Sequence, residues 1–255
     1  MPEPLLAITG GGGRIATAIR PLLREHYRIR LLDLREPPSA LDGDEFVKAD
    51  VADLAAMESG LVGADAVLHL AGNPSTSGTW EQMSRANIEG TRDVYEAARR
   101  NGAGKVVLAS TNHVMGFYNL EGAWPIDERW AIRPDSLYGV SKAFGEALAR
   151  YYADTFDMSM ICLRIGWFTP IDPTSAPLAP LWISARDLAQ IVRLCLSTSR
   201  KFGIYNATSN NPQAHWALQA ARDDLGYEPQ DDVTVFPLVD GANPYVEPKA
   251  GVLAG

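Results

Sequence analysis

The segment LYGVSKAFGE, residues 137–146, sets a phenol (Tyr138) and an ammonium (Lys142) four positions apart. On a helix, positions i and i+4 lie side by side on one face. A free phenol ionises near pH ~10 and is a poor base at neutrality. An ammonium beside it favours the phenolate, and the phenol then becomes a usable general base. Asp135 and Ser136, after Pro134, supply a helix start that puts the pair in the first turns. The plain alternative is an amphipathic helix that carries one aromatic and one lysine on a face by chance, so the reading depends on what else stands nearby.

A second motif, ITGGGGRIATAI (8–19), follows an apolar run and opens a helical one. Gly10, Gly13 and Ala16 are spaced three apart. That spacing lets the backbone turn tightly, approach a diphosphate and pack helix on strand, with the helix start at Arg14 and Ile15 facing the anion. A plain glycine turn is the alternative. Asp33 ends the next apolar run, 23 residues beyond Gly10. A carboxylate there accepts from both ribose hydroxyls of NAD and repels the 2′-phosphate of NADP, although Arg35 leaves some room for NADP. Asp50 and Val51 are placed to edge the adenine, and Leu70, Ala71 and Gly72 to admit ribose and diphosphate. Either stretch is otherwise an ordinary strand-end turn, as Asp33 is. Leu34 and Ile165 complete the expected cofactor contacts.

These residues need a scaffold that brings strand ends together. Short apolar runs at 5–9, 28–32, 45–49, 66–70, 105–109 and 160–165 read as strands, and 14–25, 79–101 and 139–156 carry helical spacing. Repeated strand–helix alternation predicts an α/β fold, a Rossmann-type doubly wound parallel sheet covered on both sides. The expected division is an NAD-binding core over 1–165 and a small substrate-binding region over 166–255 that interleaves with the end of the sheet. WFTPIDPTSAPLAPLW (167–182) reads as a long connection, followed by helices at 185–198 and 212–225, a strand near 203–207 and a tail from 229 that is irregular or ordered by docking.

Composition narrows the partners. The 255 residues, nearly half hydrophobic, belong to a soluble globule, and the net charge of −8 argues against nucleic acid or an anionic membrane. A small anionic ligand stays open. Cys162 and Cys195 form no framework, and His26, His69, His113 and His215 are scattered without zinc-site spacing. The start, MPEPLLAITG, lacks the basic region and longer apolar run of a signal peptide, so a cytoplasmic location is expected.

TGGGGRIA, HLAG, NIEGT (87–91), VVLASTNHVMG (106–116) and YGVSK (138–142), in this order and over roughly residues 5–227, resemble the extended short-chain dehydrogenase/reductase superfamily of NAD-dependent epimerase/dehydratase type. STNHVMGFY and RPDSLYGVSKAFGE are most similar to the uronate dehydrogenase group, with a glucose-6-phosphate dehydrogenase branch close behind. The resemblance implies an NAD-dependent dehydrogenase that oxidises the anomeric C1 hydroxyl of an aldose or uronate to a lactone. Tyr138 would take the hydroxyl proton, and Lys142 would hold the nicotinamide ribose and tune the phenol. Thr111 would stand at the usual serine position, Asn112 and His113 would contact the sugar, and Asn87 would support Lys142. Their plain readings are a strand-end hydroxyl, turn residues and a satisfied helix polar group. Ser75 either binds the sugar or caps the next segment; Trp167 and Trp182 either face the sugar ring or lie in core.

The sequence departs from the family in three places. Ala16 replaces a common third glycine, Thr111 adds a methyl to the expected hydroxyl, and 165–185 contains no Arg or Lys where uronate dehydrogenases grip the carboxylate. Without a bidentate cation an anionic substrate is harder to hold, which points toward a neutral sugar. Arg186 either reaches in from the next helix or is a solvated helix-start charge. The competing activities are a sugar epimerase or dehydratase, a sugar-phosphate dehydrogenase and a non-catalytic NAD sensor. The resemblance also implies a homodimer built on the helices around 80–101 and 138–156.

Overall fold

The structure, a computed structural model, describes residues 3–37, 43–169 and 176–235. Its strands are β1 (Leu5–Thr9), β2 (Arg28–Asp33), β3 (Glu45–Lys48), β4 (Ala66–His69), β5 (Lys105–Thr111), β6 (Ser159–Ile165), β7 (Trp167–Phe168), β8 (Trp182–Ile183) and β9 (Phe202–Ala207). Its α-helices are α1 (Arg14–Leu23), α2 (Leu54–Gly60), α3 (Trp80–Met83), α4 (Gly90–Arg100), α5 (Gly116–Leu120), α6 (Leu137–Phe156), α7 (Ala185–Ser197) and α8 (Gln219–Leu225).

Seven strands form one parallel sheet in the order β3-β2-β1-β4-β5-β6-β9. The expected Rossmann-type sheet is therefore present, with β9 extending it. Residues of β1 and β6 are buried throughout, as continuously apolar parallel strands must be when helices cover both faces. Successive side chains alternate sides: Leu6 and Ile8 pack with Ile19 and Leu23 of α1 and with α7, while Ala7 joins Val94 and Tyr95 of α4 and Ala149 of α6. The strand order reverses between β1 and β4, which opens a crevice at the carboxyl ends of the strands.

Three sequence expectations need correction. The helix expected over 79–101 is interrupted by a π-helical turn, Ser84–Glu89, between α3 and α4. The helix expected from 212 begins only at Gln219, because the chain first turns at 212–213, with Gln213 at φ +55°, and is then tied to Ile126: His215 O accepts from Ile126 N, and the Trp216 ring is buried. Helices α2 and α5 were not anticipated.

The long connection after 166 contains the small parallel pair β7–β8, while residues 170–175 lie outside the described residues. The tail is docked as far as Val233, with Gln230 N and Asp231 N donating to the Asp187 carboxylate; residues 236–255 fall outside the described residues. Among the described residues no helix is long and apolar enough to cross a membrane.

Helix α6 carries Tyr138 and Lys142, and two devices fix its position. Ser136 caps its start by accepting from Gly139 N at 3.1 Å. Further along, Glu146 is fully buried and pairs bidentately with Arg164 of β6 (2.9 and 2.7 Å), while Ser110 of β5 donates to the same carboxylate at 2.6 Å. The helix is thereby bolted to the two strands whose ends it faces.

Candidate active site

The chain gathers the sequence motifs at one end of the sheet. Gly10 to Gly13 follow β1, Asp33 ends β2, Asp50 and Val51 follow β3, Leu70 to Gly72 follow β4, Thr111 ends β5, and Ile165 ends β6.

Backbone hydrogen bonds close the glycine loop: Gly10 N and Gly11 N donate to Leu32 O, and Gly13 N donates to Gly10 O. Gly13 at the N-cap has no side chain to offer, so the first N–H groups of α1, on Arg14 and Ile15, carry no side-chain cap and suit a diphosphate. Ala16 is fully buried against the sheet, as a small residue at that position requires. Asp33 accepts from Gly12 N at 3.0 Å and leaves its carboxylate at the loop edge beside exposed Leu34. Asp50 accepts from Ala52 N and from Arg85, and the Ala52 N–H first, then the Arg85 guanidinium, hold its carboxyl below the usual range.

The loop after β4 meets the π-helical turn. Asn87, fully buried, accepts from Asn73 N at 2.7 Å and donates to Asn73 O at 3.0 Å and to Ser141 Oγ at 2.9 Å. A hydrogen-bonded residue inside a π-turn often marks a functional position. Gly72 has φ +153°, and a Cβ there would come within 2.9 Å of Asn87 Oδ1 and 3.4 Å of Lys142 Nζ. Only glycine keeps this cradle open. Beneath it His69, bonded to Thr9 and Thr91, is held neutral, its pKa lowered to about 3 by burial and by Lys142.

Lys142 is 4% exposed, and its ammonium has neither a hydrogen-bond acceptor nor a carboxylate partner among the described residues. Burial lowers its pKa to about 8. Its Nζ stands 5.9 Å from the centre of the Tyr138 ring. The phenol itself is pushed above its ordinary value by burial, opposed by the Thr111 hydroxyl. In the chain alone, burial rather than Lys142 governs the phenol. An uncapped helix start, an open glycine cradle and a buried ammonium without an acceptor together fit a dinucleotide whose ribose and diphosphate supply the missing acceptors.

The residues expected to contact the sugar follow β5. Thr111 accepts from His113 N and donates to Asn112 Oδ1. His113 lies edge-on to Tyr138, ring centres 5.9 Å apart, and bonds through Nδ1 to Asp135. Asp135 was read from the sequence only as a helix start, and nothing along the chain announces that it meets a histidine 22 residues away.

The Ser75 hydroxyl bonds to that of Ser77, and the cap of the next helix is Thr79 rather than Ser75. Trp182 is core, whereas Trp167 is half-buried against the clusters around Trp216 and Trp182. Arg186 is bound by Asp231 and does not reach the site.

The sequence model of the NAD dependent epimerase/dehydratase family matches residues 6–170. The chain is similar to an NAD-dependent glucose-6-phosphate dehydrogenase of Haloferax volcanii, 36% identical with 92% of this chain and 96% of that one covered. It is similar to an L-arabinose 1-dehydrogenase (NAD(P)(+)) of the same organism, 32% identical over 89% and 96%. Among solved structures it resembles uronate dehydrogenase from Agrobacterium tumefaciens, with TM-score 0.85, 32% identity and coverage of 92% and 88%.

Proposed function

The chain belongs to the NAD-dependent epimerase/dehydratase family, and from that premise we propose that it oxidises the C1 hydroxyl of a cyclic sugar to a lactone with NAD. The observation that carries this reading is Tyr138 and Thr111 standing beside a buried Lys142 that lacks an acceptor. Relatives named as sugar dehydrogenases align over nearly the full chain, which supports a dehydrogenase over an epimerase.

Gly10, Gly13, Arg14 and Ile15 hold the diphosphate, Asp33 and Leu34 the adenine-side ribose, and Asp50 and Val51 the adenine. Leu70, Ala71, Gly72 and Ile165 line the path to the nicotinamide. Asn87 positions this wall through Asn73 and Ser141. Lys142 donates to the nicotinamide ribose, and the acceptors gained there stabilise its charge. A bound NAD would supply the acceptor for the C1 hydride and a positive charge that favours the phenolate. Tyr138 takes the proton of the C1 hydroxyl while Thr111 donates to the same oxygen; the C–H pair leaves, the C=O forms, and the lactone results. Asn112, His113, Ser75 and Trp167 orient the sugar.

The region after 165 supplies the substrate side, and the core before it the cofactor side. The protein acts in the cytoplasm as a homodimer, with the apolar outer face of α6 as the contact: Leu137, Val140, Phe144 and Tyr151 are exposed at helical spacing.

The test is to mix purified protein with NAD and neutral aldoses, uronates and a sugar phosphate, following NADH by absorbance. NADH with accumulating lactone is expected. A sugar isomerised without net NADH would replace this reading by an epimerase.

A further inference from the structure

Relatives of near-equal similarity carry names for a sugar phosphate, a neutral pentose and a uronate, so the family leaves open which of these classes the chain takes. The side chains that face the sugar can decide it. His113 Nδ1 lies 2.9 and 3.0 Å from the two oxygens of Asp135, and Ser136 Oγ donates to one of them at 3.0 Å. The carboxylate approaches over Gly116, where a Cβ would stand 1.8 Å from Oδ2, so any other residue there would displace it.

A carboxylate only accepts hydrogen bonds, so Nδ1 carries the proton and Nε2 presents a lone pair. No described residue donates to Nε2, and the ring stays 32% exposed beside Tyr138. Were the ring protonated, its charge would already be paired with Asp135. Arg129, Arg133, Arg164 and Arg186 each pair with a carboxylate, Asp127, Glu121, Glu146 and Asp231. Lys142 faces the cofactor wall at Gly72, and 165–185 contains no Arg or Lys.

We propose that Asp135 is a positioning residue that acts through His113: it fixes Nε2 as the acceptor for a sugar hydroxyl, so that the site selects a neutral aldose and rejects a uronate or sugar phosphate. The inference rests on the C1-dehydrogenase reading. A hydroxyl supplies the proton that Nε2 needs, whereas an anionic oxygen would set lone pair against lone pair with no Arg or Lys in 165–185 to offset it.

The experiment compares kcat/KM for matched sugars, D-glucose, D-glucuronate and glucose 6-phosphate, then D-galactose and D-galacturonate, in the wild type and in Asp135→Asn. In the wild type a neutral aldose should exceed its anionic counterparts by about tenfold or more. The amide of Asp135→Asn can donate to Nδ1, which turns Nε2 into a donor, as the wrong tautomer does in other histidine–aspartate pairs. This variant should lose about tenfold on the aldose, chiefly in KM, while its discrimination against the uronate narrows.

Thermal midpoint and NAD affinity establish that the variant folds, and the wild-type comparison stands without it. Wild-type preference for an anion, or a uniform loss across all sugars in Asp135→Asn, would overturn the inference while leaving the dehydrogenase intact. NADH from none of the sugars would sink both.

Discussion

Burying Lys142 without an acceptor has a thermodynamic consequence that can be read before any cofactor binds. Its pKa falls from 10.5 to about 8, so between those values the unfolded chain holds a proton that the folded chain has released. Stability then rises with pH through that window, and below about pH 8 the full cost of the buried charge is present. Lys142→Met should therefore stabilise the cofactor-free protein at pH 7 by on the order of 2 kcal/mol. The gain should shrink toward pH ~10, and turnover should be lost. Urea unfolding at both pH values checks this; a less stable Met variant at pH 7 would mean that the ammonium is already satisfied. At this scale the sequence was legible where neighbours in space are neighbours in the chain, as for Tyr138 and Lys142. It was silent on Asp135, which meets His113 only once β5 and α6 are docked. For the same reason Arg186 stayed ambiguous, since its partner Asp231 lies 45 residues away.

The elements place these residues through a few buried fasteners. Glu146 and Arg164 are almost wholly buried and neutralise each other across the gap between α6 and β6. Removing one partner strands the other charge, so Glu146→Ala should cost about 3–5 kcal/mol in urea unfolding, with kcat falling as α6 loosens. A loss under about 1 kcal/mol would show that water reaches the pair and that it does not hold the helix. The central strands were legible because parallel strands covered on both faces are mostly apolar, even though the buried β6 carries Arg164. The π-turn at Ser84–Glu89 was hidden, because one extra residue in a hydrogen-bond ladder leaves the polar and apolar pattern unchanged. The segment before α8 misled for another reason: Trp216 and Ala220 keep helical spacing, yet burial of Trp216 and its bridge to Ile126 win over local propensity.

At the scale of the molecule, one parallel sheet sets the cofactor side of the crevice, and the chain after β6 adds β9 and the docked segment to Val233. The apolar stripe on α6 faces outward, with Tyr151 54% exposed and Val140 44%. Phe144→Glu should convert a dimer to a monomer in sedimentation equilibrium; a wild-type monomer would remove the proposed interface. The doubly wound order was legible from strand–helix alternation, whereas the outward face of α6 was not, because core and interface read alike in a sequence. In the proposed reaction the arrangement serves one transfer, a hydride from C1 and a proton to Tyr138. An aldose deuterated at C1 should yield NADH one mass unit heavier together with the lactone, and Tyr138→Phe should slow that transfer by about a hundredfold or more with NAD affinity changed by less than about twofold. Unlabelled NADH, or full turnover in Tyr138→Phe, would contradict the account.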